Sequence, residues 1–332
     1  MKHRLFRHAI LALALLFAAA GAQASDIDLS YRRVALNNEK PDQREIGMLI
    51  YRDGLSISSE DARFGGFSSL LVSADGERML SASDKGVWFS ADLSYDEDGN
   101  LAGITSGFLA PIGGSDGKPL AGRYRDAEAL ARGTDGAVLL AFEQHHRILR
   151  FTAPGRLDAR CLDGARPQLV AAPAELAEFN GNAAMEGLVT LGDGGLLILT
   201  EGLDNERASK PGWILRDGAA AARLEYKRAA RFRPTGAARL PGGDILVLER
   251  RYTLIGGVAA LLRRLPQESI RRGARLDGVE IARLQPPLNV DNMEGIAVRR
   301  DGAGGTLIYL LSDDNYSVLQ RTLLLMFELR AN

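Results

Sequence analysis

The chain has 332 residues, 41 Lys and Arg against 42 Asp and Glu, and a formal net charge of −1. That balance excludes a basic nucleic-acid binder and a protein held to an anionic membrane by charge. A single cysteine, Cys161, excludes an intrachain disulfide, so stability must come from burial, which a chain of this length supplies.

In chain order, the first element is a targeting segment. Lys2, Arg4 and Arg7 make a basic start, Ala9 to Ala20 is apolar, and Ala22-Gln23-Ala24 fits a small-residue cleavage site. This series predicts export and cleavage after Ala24, giving a periplasmic or secreted protein over residues 25–332; an uncleaved anchor is the alternative. Cleavage removes three basic side chains and no acid, so the charge moves to about −4. No other segment is long and apolar enough to span a bilayer as a helix.

Residues 27–36 and 47–58 then hold strand material. Turn signals follow at short intervals: Asp75-Gly76, Asp98-Gly99, Asp135-Gly136, Asp193-Gly194-Gly195, Gly242-Gly243-Asp244 and Asp301-Gly302. Each predicts a two-residue reversal between antiparallel strands, because Asp-Gly and Gly-Gly tolerate positive φ. The apolar flanks 137–142, 196–200, 245–248 and 307–311 read as strands buried on both faces. Residues 173–179 and 258–264 are expected to form short helices. The many glycines and few aromatics agree with a strand-rich chain.

Four stretches repeat one pattern: an acidic or hydroxyl residue, an apolar strand, a turn, a second apolar strand, and another acid. They run from Glu128 to Glu143, Glu186 to Glu201, Thr235 to Glu249 and Glu294 to Asp313, with a weaker copy from Ser68 to Asp84. Successive landmarks lie 60, 58, 49 and 59 residues apart, room for about four strands each. The fold expected is all-β, a single β-propeller of four-stranded blades. Landmarks favour five blades, residues 27–36 leave room for six, and residues 47–58 would complete the last blade and close the ring. An open β-sandwich array is the competitor.

In a propeller the first strand of each blade lines the channel, so Glu128, Glu186 and Glu294 should converge near one mouth with Asp126 beside them. Carboxylates facing one cavity repel unless a cation neutralises them. An oxygen-only donor set suits Ca²⁺. The competing reading has each Glu accept backbone or arginine hydrogen bonds that lock adjacent blades. The second acids, Glu143, Glu201, Glu249 and Asp313, would serve as outer ligands, as a general base, or as partners of Arg147, Arg207 and Arg250. Arg250 and Arg251 suit bidentate recognition of phosphate or carboxylate. Asp313, Asp314 and Asn315 make an oxygen-rich turn. Gly113-Gly114-Ser115-Asp116-Gly117 matches a nucleophile-elbow pattern but lies in a Gly/Pro-rich loop without the strand and helix that motif needs. His145 and His146 are adjacent, point to opposite faces of a strand, and lack a third imidazole for zinc. Cys161 has no partner set and is expected as a buried or loop thiol.

The chain resembles the phytase-like family, the "esterase-like activity of phytase" domain of exported bacterial proteins. The resemblance rests on Phe64-Gly65-Gly66-Phe67-Ser68, Ser83-Asp84, Asp126-Ala127-Glu128-Ala129-Leu130, Glu186-Gly187-Leu188, Leu248-Glu249-Arg250, Asn292-Met293-Glu294-Gly295-Ile296 and Ser312-Asp313-Asp314-Asn315. Residues 66–70 depart from the family's usual Gly-Leu-Ser-Gly-Leu, and Lys85 stands where an arginine often follows Ser-Asp. The resemblance implies metal-assisted phosphoester chemistry on a propeller. The expected function is a Ca²⁺-dependent phosphoester hydrolase. Asp126, Glu128, Glu186, Glu294 and Asp313 would hold the metal, with Glu143, Glu201 and Arg250 as catalytic groups. Its substrate would be a small anionic compound or ester, with no nucleic acid involved. A lactone or carboxylic ester hydrolase and a non-enzymatic envelope binding protein are the alternatives.

Overall fold

Turn chemistry sets the local structure. The reversals at residues 133–137, 191–195, 240–244 and 301–305 each hold a bond from the fourth residue's N–H to the first residue's carbonyl and one from the first N–H to the fifth carbonyl. Gly136, Gly194, Gly243 and Gly304 take the left-handed position at φ of 83°, 85°, 105° and 91°. These are three-residue hairpins closed by a type I turn and a left-handed residue, not the two-residue reversals expected. At residues 301–305 the left-handed residue is Gly304 rather than Gly302.

The computed structural model describes residues 23–152, 155–179, 185–202, 208–216, 221–253 and 256–330. The leader expected at residues 1–24 lies outside them apart from Gln23 and Ala24, as does Arg207. Five antiparallel sheets form five blades. Blade 1 contains Leu71–Val72, Arg78–Ala82, Val87–Tyr95 and Leu101–Pro111, with Ser25–Ile27 on its outer edge. Blade 2 contains Ala127–Arg132, Val138–Phe142, Arg147–Phe151 and Gln168–Val170. Blade 3 contains Gly187–Thr190, Leu196–Leu199, Ser209–Leu215 and Ala222–Lys227, plus Arg275–Asp277 in parallel. Blade 4 contains Arg233–Arg239, Ile245–Thr253, Gly257–Leu265 and Val279–Leu284.

Blade 5 takes three strands from the C-terminal region, Asn292–Arg300, Thr306–Asp313 and Thr322–Leu329, and its fourth from Leu49–Ser58. That fourth strand pairs antiparallel with Thr322–Leu329 and closes the ring. The extra material that left six blades open is divided: Ser25–Ile27 widens blade 1 and Ser30–Arg33 widens blade 5. Residues 258–264 are not a helix. They lie inside strand Gly257–Leu265, hydrogen-bonded on both sides, with Ala259, Ala260, Leu261 and Leu262 fully buried. Burial from both faces overrides the weak helical spacing. Residues 173–179 hold only a short 3₁₀ turn, Ala174–Glu178. Cys161 is exposed on the one-turn helix Ala159–Leu162.

The apolar core is divided among the blade interfaces. One cluster fills each of the five gaps, for example Trp88 against Phe151 between blades 1 and 2, and Phe67 stacked on Phe89 in the cluster shared by blades 5 and 1. Each blade is therefore stable only between two neighbours, and the closing strand carries the stability of the whole ring. Deleting residues 25–58 exposes the unpaired edge of Thr322–Leu329. The truncated chain is expected to aggregate and to lose its cooperative thermal transition. A truncated protein that melts like the parent would show that closure is dispensable.

Candidate functional site

The innermost strand of each blade carries an irregularity at the landmark residue. In blades 2, 4 and 5 the register with the second strand slips by one residue at Glu128, Thr235 and Glu294. In blade 3 the Glu186 N–H bonds the Leu199 carbonyl, which also faces Gly187, and in blade 1 the Ser68 N–H bonds the Ala82 carbonyl. These are β-bulges, which turn a side chain out of the strand's alternation. They aim one residue per blade at the axis: Ser68, Glu128, Glu186, Thr235 and Glu294.

The next residue in each blade is small: Ser69, Ala129, Gly187, Gly236 and Gly295. A Cβ on Gly236 would lie 2.7 Å from the Glu294 carbonyl oxygen, and one on Gly295 would lie 2.9 Å from the Leu70 Cβ. The glycines thus let adjacent inner strands approach closely enough to crowd the acids. One residue further on, Leu70, Leu130, Leu188, Ala237 and Ile296 fill the channel and leave about 10 Å³, room for one water. The acids occupy a dead end open at one mouth.

A second ring stands beside the first. Counting from each bulge, Asp84, Glu143, Glu201, Arg250 and Asp313 occupy equivalent positions just past the second strand's buried run. This corrects the expected equivalence of Glu249. Adjacent strand residues point to opposite sides, so Arg250 turns to the mouth while Glu249 turns inward. There the Glu249 carboxylate accepts from Tyr226 Oη at 3.0 Å and the Ala229 N–H at 3.2 Å, with Arg263 at 3.7 Å. The whole-strand alignment of residues 79–84, 138–143, 196–201, 245–250 and 308–313 carries this signal, whereas the nearest acid does not.

Asp126, Glu128, Glu143, Glu186, Glu201, Arg250, Glu294 and Asp313 lie together at this mouth, and Glu249 does not. Asp126, Glu128 and Glu143 each offer an oxygen within 4.8 Å of the others. Gln144 Nε2 donates to Asp126, and Glu143 stands across the blade 2–3 boundary close enough to Glu186 to repel its charge. Glu294 accepts from Asn292 Nδ2 at 2.8 Å and lies 3.3 Å from Arg250. Glu201 pairs with Arg233. Asp313 accepts the Asn315 N–H at 2.7 Å, whereas Asp314 is spent on structure, taking the Gly66 and Tyr316 N–H groups and the Thr322 hydroxyl. Among the described residues no donor or cation pairs with Glu128. Asp84, in the weakest repeat, sits close enough to Asp126 to feel its charge.

Burial and mutual repulsion raise these carboxyls. Burial, then Glu186, Glu143, Glu294 and Asp126, push Glu128 well above the usual carboxylate range. Burial, then Glu143 and Glu201, do the same to Glu186, against the pull of Arg250. Burial lifts Glu294 to about 7 although Arg250 opposes it, and burial with Glu294 lifts Asp313 to about 8. Arg250 is set among Glu294, Glu186, Glu201 and Asp313, which together hold its charge. Among the described residues, the buried atoms without a hydrogen-bond partner include the Asp84 Oδ1 acceptor and the Arg250 Nε donor, with Ser83 Oγ and Tyr316 Oη on the Asp84 side. A cation would satisfy the first and an anion the second. The residues present therefore fit a hard metal ion held by oxygen.

The sequence matches the family model described as "Phytase-like: Esterase-like activity of phytase" over residues 62–316. The chain belongs to this family. No curated protein matches. Among solved structures, the chain is similar to a catalytically inactive virginiamycin B lyase from Staphylococcus aureus with quinupristin, at 10% identity and TM-score 0.43, covering 92% of this chain and 100% of that one. It is also similar to the gluconolactonase XC5397 from Xanthomonas campestris, at 12% identity and TM-score 0.40, covering 94% and 99%. Among the described residues no helix is long and apolar enough to cross a membrane.

The raised carboxyls make a pH prediction for metal-free protein. Folded values above unfolded ones mean that the folded state holds protons which the unfolded chain has already released. Stability is then full below about pH 4 and declines as pH climbs toward 7 to 8, the folded values of Glu294 and Asp313. With chelator present, the melting temperature should fall by roughly 5 °C or more between pH 5 and pH 8. A flat profile would show that the acids are fully neutralised by protein groups.

Proposed function

We propose that this is an exported metal-dependent hydrolase, with one Ca²⁺ held in the acid mouth and a phosphoester as substrate. The cluster of Asp126, Glu128 and Glu143, with one oxygen of each within 4.8 Å of the others and Glu128 surrounded by carboxylates, carries this reading. Asp126, Glu128, Glu143 and Glu186 would hold the ion, since their oxygens suit a hard cation that tolerates irregular geometry. A bound ion of this kind neutralises phosphate oxygens and lowers the pKa of coordinated water.

The chain's own groups supply the rest. Arg250 has a spare donor for a phosphate oxygen beside the acids. Glu294, near neutral at about 7, is suited to take a proton from attacking water and return it to the leaving oxygen. Basic side chains at the rim favour an anionic substrate over a neutral ester or lactone: Lys85 lies over the Tyr316 ring, Arg125 is exposed, and Arg233 stands beside Glu201. The apolar plug beneath the ring keeps bulk water from reaching the acids from below. Membership of the phytase-like family agrees with a phosphoester. Export rests on the leader pattern, and the first strand begins at Ser25, directly after the cleavage point.

Calcium at a hundredfold excess over its dissociation constant should stabilise the parent by about 2.7 kcal/mol, and Glu186→Gln should remove most of that gain. Hydrolysis of bis(p-nitrophenyl) phosphate should require calcium and decline in the same variant. If the parent melts identically with calcium and with chelator, the metal reading fails and the non-enzymatic one leads. For export, N-terminal sequencing of the protein from its native host should begin at Ser25; retention of Met1 would refute it.

A further inference from the structure

The two loops that carry Asp126 and Glu143 to the mouth carry different chemistry on their outer side. On that flank of blade 2 lies a cavity of about 500 Å³, the size of a small-molecule pocket. Tyr124, His145, Arg147, Leu149, Leu169 and Val170 line its working surface. Tyr124 is 41% exposed and Leu169 is 72% exposed, so each offers apolar area that the fold itself leaves uncovered.

The charge of the pocket is opposite to that of the acid mouth. The His145 ring stands edge-on to Tyr124, with centroids 4.8 Å apart, and Arg123 and Arg147 lie 5.3 Å and 5.7 Å from the same ring. Arg147 donates to the backbone carbonyls of His145 and Tyr124, which ties the two loops together and leaves its charge at the pocket wall. Asp116 is the one acid among the lining residues. An aromatic face with an apolar wall and surrounding cations suits a flat organic group attached to an anion.

The pocket adjoins the acids. Tyr124 is two residues from Asp126 and His145 is two from Glu143, and two residues of chain reach at most about 7 Å. Gln144, between Glu143 and His145, donates to Asp126 and fixes the boundary between the two compartments.

We propose that this cavity binds the organic group of the substrate, an aromatic ring system carried on the phosphate whose ester bond lies over the acid mouth. This rests on the phosphoester reading of that mouth.

Binding of 1-naphthyl phosphate and of methyl phosphate to the purified protein, measured by calorimetry in calcium, tests it. The parent should bind the naphthyl ester at least tenfold more tightly. Leu169→Glu and Tyr124→Ala should erase that preference without weakening methyl phosphate, and Tyr124→Phe, which keeps the ring, should retain it. All three variants change exposed side chains, and a melting curve confirms that each is folded. Equal affinity for the two esters in the parent, or equal losses for both in the variants, would overturn the pocket assignment. A naphthyl preference that depends on Tyr124 and Leu169, with no calcium-dependent hydrolysis, would uphold the pocket and defeat the hydrolase reading instead.

Discussion

The crowding of carboxylates about the propeller axis is the constraint on which the rest of the site depends. Three glutamates from the inner strands and four acids from the second strands face one dead-end mouth, with Asp126 beside them and Arg250 set among them. Taking such groups from water costs several kcal/mol each unless they are neutralised. The molecule answers partly with protons, as the raised values of Glu294 and Asp313 show, and partly with Arg250. Glu128, surrounded by Glu186, Glu143, Glu294 and Asp126, receives neither a donor nor a cation from the described residues. The electrostatic deficit is concentrated at that position.

The deficit follows from a backbone device. An unbulged strand would send Glu128, Glu186 and Glu294 into register with their neighbours and bury them within a blade. The bulge turns them to the axis, and the small residue that follows lets the next blade's strand come close. The same device acts in blades 1 and 4 on Ser68 and Thr235, which carry no charge. Thr235 instead donates to the Met293 carbonyl at 3.0 Å and fastens blade 4 to blade 5. The inner ring is thus charged in blades 2, 3 and 5 and uncharged in blades 1 and 4, and the Asp126, Glu128 and Glu143 cluster belongs to blade 2. Of the two readings weighed from the sequence, the architectural one holds for Glu249, whose carboxylate ties blade 4 to Tyr226 of blade 3.

Burial at the blade interfaces supports this arrangement energetically. Each interface holds its own apolar cluster, and the closing strand Leu49–Ser58 ensures that none of the five is left open. A closed ring holds opposed charges apart as well as together, because no blade is free to move outward and relieve the repulsion. The closed scaffold is what keeps the acids crowded together.

Much of this was legible in the amino-acid sequence, for a local reason. Four-strand units, turn glycines, apolar strand runs and the landmark residues are short-range patterns, and they gave the propeller, the strand pair that closes it and the convergence of Glu128, Glu186 and Glu294. What failed depended on neighbours distant in the chain. Residues 258–264 have a weak helical spacing, and only pairing on both sides makes them a strand. Glu249 looked like the fourth outer acid because it was the nearest acid to the motif. Only the bulge at Thr235, by setting which of two adjacent side chains meets the axis, gives that place to Arg250. Asp84 closes the weaker copy of the repeat but falls outside the expected site because that copy diverges, although its register matches Glu143 and Asp313. The pocket of Tyr124, His145 and Leu169 joins a loop, a turn and an edge strand. Proximity of that kind is decided by tertiary packing, because no periodicity within one segment records what will lie across a cavity from it.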